Sequence, residues 1–334
     1  MYQYAPRLRS MGIELQLSPL LGNGYLNRLY AGQAVRWPGV VCDYLKRVVG
    51  LLRAGNYDLI WIEKELFPNF PAWFEEVLRA LGIRYVIDID DAVFHNYGLS
   101  SNRYKRLLAG KIGKIMRNSA LVICGNDYLA EWAHSAGAPW VETIPTVIDL
   151  ERYDAVGLPD RGRIVVGWCG SPSTAQYLEI VAPALRILAK EIALQLRVIG
   201  AGVSYGGLDV DCRNWSESSE AREIQDFDIG IMPLRDSPWE RGKCGYKLIQ
   251  YMACGKPVIA TSSGANEKIV VHGRTGYLVS SLDDWVEALR ALMVDSQKRW
   301  AMGMQGRDLV ENNYCVQVTA PRIAQLLREC VGLQ

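Results

Sequence analysis

The stretch GKCGYKLIQYMACGKPVIAT, Gly242 to Thr261, sets Lys243 and Lys247 near the start of a helical period. The amino end of a helix carries partial positive charge, so lysines there call for a nearby anion. The pattern places a helix over residues 245–253, with Lys243, Lys247 and Gln250 along one stripe. Gly242 and Gly245 allow close approach to the backbone and leave N–H groups free at the helix start. A diphosphate fits this set: backbone donors, the helix dipole and two ammonium groups. Two lysines on a solvated face are the plain alternative, which leaves the unfavourable dipole contact unexplained.

A second concentration of polar groups lies in WIEKELFP and DIDDAVFH, with Glu63, Lys64, Glu65, Asp88, Asp90, Asp91 and His95. Glu65, Asp90 and Asp91 are carboxylates able to orient a hydroxyl or remove its proton. Helix capping by Asp90 or Asp91 is the plain alternative. Asp88 and Asp90 could also be read as a metal-binding acidic pair, a lesser reading. VIGAGVSYGG offers Gly200 and Gly202 after a strand, but Tyr205 occupies the third fingerprint position and another strand follows. A dinucleotide site needs a helix there, so that reading is set aside.

The elements that must carry these residues alternate. IELQLSP, YDLIWIE, RYVIDID, ALVICG and WVETIP read as strands, separated by helical periods such as PGVVCDYLKRVVGLLRAGN. The rhythm breaks over residues 146–162 and restarts with IVVGWCG, LRVIG, FDIGIMPL, KPVIATS and TGYLVS. Two strand–helix series predict an α/β chain of two doubly wound, Rossmann-like parallel-sheet domains facing a cleft. The expected boundaries are residues 1–148 for the first domain and 149–316 for the second, with a C-terminal helix over 317–334. The first domain starts in a helix, as if its first strand were missing.

Composition narrows the class. The 334 residues are 49% hydrophobic and 22% charged with net charge +1, which suits a soluble globular protein and not a nucleic-acid binder. The eight cysteines form no C-x-x-C and there are three histidines, so reduced thiols in a cytoplasmic setting are expected and a zinc site is not. No apolar run approaches the roughly 18 residues of a membrane span. RYKRLLAGKIGKIMR, Arg103 to Arg117, carries six basic residues beside Leu107, Leu108, Ile112 and Ile115. It could dock peripherally on an anionic inner membrane face, or be a half-buried helix with a wet basic side.

KLIQYMACGKPVIATSSGANEKIVVHGRTGYLV resembles the donor-binding block of family-4 glycosyltransferases, the glycosyl transferases group 1, which are retaining enzymes of the GT-B fold. IPTVID, VIGAG and DFDIGIMPL extend the likeness, which runs from about Tyr2 to Tyr314 and is most specific over residues 242–279. The resemblance implies a UDP- or GDP-sugar as co-substrate, an acceptor hydroxyl, and no cofactor, metal or covalent nucleophile. Two family glutamates, the second binding ribose, fall at Gly242 and Gln250, so both carboxylates are absent; Glu240 could replace the first. GWCGSPSTAQYL stands where the family tends to carry a phosphate-binding Arg and Lys, which makes Gly170, Ser171, Ser173 and Thr174 donor-site candidates. Asn214 and Trp215, in the segment Cys212–Trp215, match the position of the base. Lys64, Asp91 and His95 fall on the acceptor side.

The expectation is therefore a metal-independent hexosyltransferase of glycan biosynthesis, with Lys243, Lys247, Asp90 and Glu65 at the chemistry. A nucleotide-sugar epimerase on the same fold, or a non-catalytic nucleotide-sugar-binding module, are the alternatives.

Overall fold

The computed structural model describes residues 2–22, 24–25, 28, 33–34, 36–157 and 162–333; residues 158–161 of the expected linker lie outside that set. The chain divides into one unit of Met1–Ile144 with Ala320–Gln334 and a second of Pro145–Thr319.

The first unit holds a four-stranded parallel sheet: β1 Ile60–Glu63, β2 Tyr85–Ile89, β3 Leu121–Cys124 and β4 Val141–Thr143, in spatial order β1-β2-β3-β4. LVIC of β3 is buried at every position, as expected of a strand covered on both faces. The helix Asp127–Ser135 begins at Asn126, whose side chain accepts from the Leu129 N–H. Part of the helix Val316–Val331 belongs to this unit: Arg322 meets Glu142 at 2.9 Å, and Arg84 donates to the Cys330 carbonyl at 2.8 Å.

Two sequence expectations are corrected here. IELQLSP is not a strand; Ile13 and Leu15 are half-buried and Leu17 is exposed, without a ladder neighbour. A period-2 pattern marks one face, but a strand exists only when another backbone pairs with it. The basic stretch 103–117 is not one helix but two, Arg103–Leu107 and Lys111–Asn118. Ile112 and Ile115 are core, Lys111 pairs with Glu65 and Lys114 with Glu76.

The second unit holds six parallel strands, β5 Ile164–Cys169, β6 Leu194–Ile199, β7 Val210–Arg213, β8 Ile229–Met232, β9 Val258–Thr261 and β10 Gly276–Val279. Their order is β10-β9-β8-β5-β6-β7. The chain runs outward from β5 through β6 and β7, then returns to the other side of β5 with β8. That reversal makes the carboxyl ends of β5 and β8 the switch point, where open α/β sheets bind ligands. Trp168, Tyr153, Tyr251 and Phe227 anchor the core and are almost wholly buried.

Candidate functional site

The helix Tyr246–Ala253 positions the central lysine of the second unit. It starts at Gly245, whose φ of 67° is left-handed and whose missing Cβ would lie 2.2 Å from Ile269 Cδ1. Only glycine fits that start. The register of the helix is fixed from within: the Tyr251 hydroxyl accepts from the Cys169 N–H, the last residue of β5, at 2.8 Å. Residues four apart share a helix face, so Lys247 is carried to the same strand end. Its Nζ lies 4.2 Å from the Trp168 ring centroid. A Cβ on Gly170 would stand 2.5 Å from that Nζ, so glycine is what makes room for it.

Lys247 is half-buried and has no carboxylate partner among the described residues. Burial lowers its pKa from 10.5 to about 8, with Cys169 opposing the shift and the nearby Lys243 adding to it. The indole face offsets part of the cost, about 2 kcal/mol for a desolvated cation. Below about pH 8 the lysine still carries its charge, at a desolvation cost that a nearby anion would offset.

Lys243 does not share the helix. It sits in the turn before Gly245, with its Nζ 5.8 Å from the Trp239 ring, because the left-handed Gly245 breaks the helical path that the spacing implied. Gly242 ends the short helix Pro238–Arg241. Glu240 is buried and bonded by the Tyr177 and Ser237 hydroxyls, so it serves inside the fold. Gln250 is 1% exposed and donates from Nε2 to Glu220 at 2.6 Å and to the Tyr153 hydroxyl at 2.8 Å.

Ser171, Ser173 and Thr174 follow Gly170 at the end of β5. They do not open an α-helix: Ser171 Oγ lies 2.9 Å from Ser173 Oγ and 3.3 Å from Thr174 Oγ1 in a turn, and the α-helix Leu178–Leu188 starts later. The turn intervenes because Thr174 Oγ1 bonds back to the Ser171 carbonyl at 3.1 Å, a local alternative to helical bonding. Gly200 follows β6 with φ 89°, and its missing Cβ would meet the Gly170 oxygen at 2.4 Å. Asn214 and Trp215 follow β7 and are exposed. Gly170, Lys247 and Trp215 thus gather at the carboxyl ends of β5 to β7. A separate pocket of about 440 Å³, lined by Leu234, Asp236, Thr261 and Trp285 among others, contains none of the expected donor residues.

In the first unit, Lys64 follows β1 in a left-handed conformation, φ 63°. Its Nζ lies 2.9 Å from Asp90 and 3.2 Å from Asp91, just past β2. Burial alone would lower its pKa, but the two carboxylates outweigh it and raise it. Asp88 is pushed up, first by burial and then by Asp90. Glu65 is engaged elsewhere. Lys111 Nζ meets it at 2.5 Å and the Tyr97 hydroxyl at 2.7 Å, with the Lys111 side chain 1% exposed. That pairing makes Glu65 a brace rather than a free base. His95 lies 2.7 Å from the Tyr128 hydroxyl and burial lowers its pKa. No group of His, Cys, Asp and Glu able to hold a metal occurs among the described residues.

Sequence reasoning missed Trp168, Tyr153 and Glu220 as neighbours of the expected donor residues. Nothing local marks them, since each reaches the site through a different element.

Comparison with known proteins adds the following. Residues 163–295 match the family described as Glycosyl transferases group 1. A D-inositol 3-phosphate glycosyltransferase of Corynebacterium jeikeium is 41% identical over 226 residues, covering 57% of this chain and 53% of that protein. A GDP-mannose-dependent alpha-(1-6)-phosphatidylinositol monomannoside mannosyltransferase of Mycobacterium tuberculosis is 34% identical over 105 residues, covering 30% and 27%. The chain spans about half the length, or less, of the curated relatives it matches. Among solved structures, sucrose-phosphate synthase from Thermosynechococcus elongatus aligns with TM-score 0.68 and 18% identity, covering 89% of this chain and 80% of that one. Anabaena Alr3699/HepE in complex with UDP-glucose aligns with TM-score 0.66 and 17% identity, covering 85% and 82%.

Proposed function

We propose that this chain, whose residues 163–295 match the glycosyl transferases group 1, transfers a sugar from a nucleoside diphosphate donor to an acceptor hydroxyl. Its fold class is that of GT-B glycosyltransferases, with two parallel-sheet units of four and six strands. The observation that carries the reading is Lys247: a half-buried ammonium without a carboxylate partner among the described residues, at the switch point of the second sheet.

The donor is a UDP- or GDP-sugar. Its diphosphate takes the place beside Lys247 and Gly170, with Lys243 adding charge and the Ser171, Ser173 and Thr174 turn offering hydroxyls. Positive charge fixed beside the leaving diphosphate favours the transition state, where negative charge grows there. Transfer proceeds with retention and without metal, as in the family the sequence resembles. Asp90 and Asp91, poised by Lys64, are assigned to the acceptor together with His95, whose pKa burial lowers. Base contacts fall to Asn214 and Trp215.

The acceptor is a glycan, lipid-linked or small-molecule hydroxyl. No helix among the described residues is long and apolar enough to cross a membrane. Peripheral contact at the inner membrane face would use the exposed Arg103, Tyr104, Arg106 and Leu107 rather than the whole basic stretch.

Thermal-shift titration with UDP, GDP and their sugars tests donor binding, followed by product analysis with candidate acceptors in EDTA. Release of nucleoside diphosphate with a glycosylated product of unchanged anomeric configuration is expected. An isomerised nucleotide sugar with no diphosphate released would indicate an epimerase, and binding without turnover a non-catalytic module. The epimerase is the weaker reading because His272, the sole histidine of the second unit, accepts from the Leu278 N–H at 3.2 Å through Nδ1.

A further inference from the structure

Glu220 begins the helix Glu220–Gln225 and is 8% exposed. Its Oε1 accepts from the Trp215 indole N–H at 2.7 Å and the Cys169 thiol at 3.7 Å; its Oε2 accepts from Gln250 Nε2 at 2.6 Å and the Tyr153 hydroxyl at 3.2 Å. A carboxylate has about four lone-pair sites, and this one has four neutral donors. No lysine or arginine forms an ion pair with it among the described residues. Since Glu220 is fully engaged, anything it does for a ligand it does through its partners.

Gln250 is the informative partner. An amide nitrogen has two hydrogens, and here both are spent, on Glu220 and on Tyr153. The carbonyl cannot take their place, because a carboxylate repels an oxygen. Gln250 Oε1 is therefore fixed on the opposite side, and it has no protein partner among the described residues. Such a glutamine presents an acceptor only, as a carboxylate would.

We propose that Glu220 is a positioning residue of the donor site: it locks Gln250 as an acceptor-only contact for the vicinal hydroxyls of a ribose, and anchors Trp215 beside it. The carboxylate has in effect moved one residue back from the ligand. This rests on the nucleoside diphosphate reading above.

The test compares UDP and GDP with their 2′,3′-dideoxy forms by calorimetry on the full chain. The native protein is expected to prefer the ribose form at least about tenfold. Glu220→Gln leaves an acceptor for Trp215 but lets the Gln250 amide turn, so the preference should fall within about threefold while phosphate contacts persist. The exchange variant Glu220→Gln with Gln250→Glu restores an acceptor beside the ligand and should regain the native ratio. An unchanged ratio in Glu220→Gln, or no recovery in the exchange variant, overturns the proposal, and a lowered melting temperature alone does not support it. Where Glu220→Gln fails to fold, Gln250→Leu serves, since a retained preference in that variant also overturns it. Absence of binding by any nucleoside diphosphate to the native protein overturns both readings. Binding that ignores the ribose overturns this one alone.

Discussion

Each unit carries a lysine at the carboxyl end of its sheet, and the two are built to opposite purposes. Lys64 lies between Asp90 and Asp91, and those carboxylates raise its pKa despite burial. Lys247 faces an indole and a glycine, and burial lowers its pKa to about 8. The first charge is complete without a ligand. The second has no carboxylate partner among the described residues, and that difference is the ground for proposing Lys247, and not Lys64, as the contact to the diphosphate.

The sharpest way to break the comparison is substitution to methionine, which keeps the stem. Lys247→Met should lower kcat/KM by about 100-fold or more, the scale for removing a charge-stabilising donor. The same change should leave the ligand-free melting temperature level or higher, because an unpaired desolvated charge is gone. Lys64→Met should do the reverse in stability, dropping the midpoint by about 3 °C. Equal losses of stability in the two variants would erase the distinction.

Glu65→Gln should destabilise strongly. Removing one partner of a buried pair costs about 3–5 kcal/mol, because Lys111 is then left uncompensated. Thermal denaturation reads this, and full stability in that variant would return Glu65 to the list of free bases. Gly170→Ala probes the other lysine by steric means. Its new Cβ meets Lys247 Nζ and the buried Trp168 ring, so donor KM should rise by about tenfold and the melting temperature should fall as well.

The smallest effect is protonic. Between about pH 8 and the ordinary 10.5, the unfolded chain holds the Lys247 proton more tightly than the folded one. Ligand-free stability should therefore rise with pH across that window, while below it both states are charged and the penalty is fully present. A bound diphosphate raises the pKa, so binding at pH 8 should take up about half a proton, measured by calorimetry in buffers of different ionisation enthalpy. Uptake of none would mean that the diphosphate does not meet Lys247.

The sequence by itself determined the alternation of strands and helices, the two-sheet class and the strand ends on which the polar residues sit. These follow from local periodicity: β3 and β5 are continuous apolar runs, and Gly245 and Gly255 punctuate the helix around Lys247. It also brought Lys247 forward through its charge near a helix start, and Gly170 through the resemblance of its segment to a donor site. IELQLSP shows the limit, since its alternation supplied a face but no neighbouring strand to pair with. Only the tertiary structure decided which charges are spent. Glu65 and Glu240 both stand in the sequence as acids available to a ligand, yet Lys111 claims one and two hydroxyls claim the other. Gln250 and Glu220, 30 residues apart, share a hydrogen bond that no spacing could announce. Pairing depends on distances between elements set by packing, and packing is a property of the whole core.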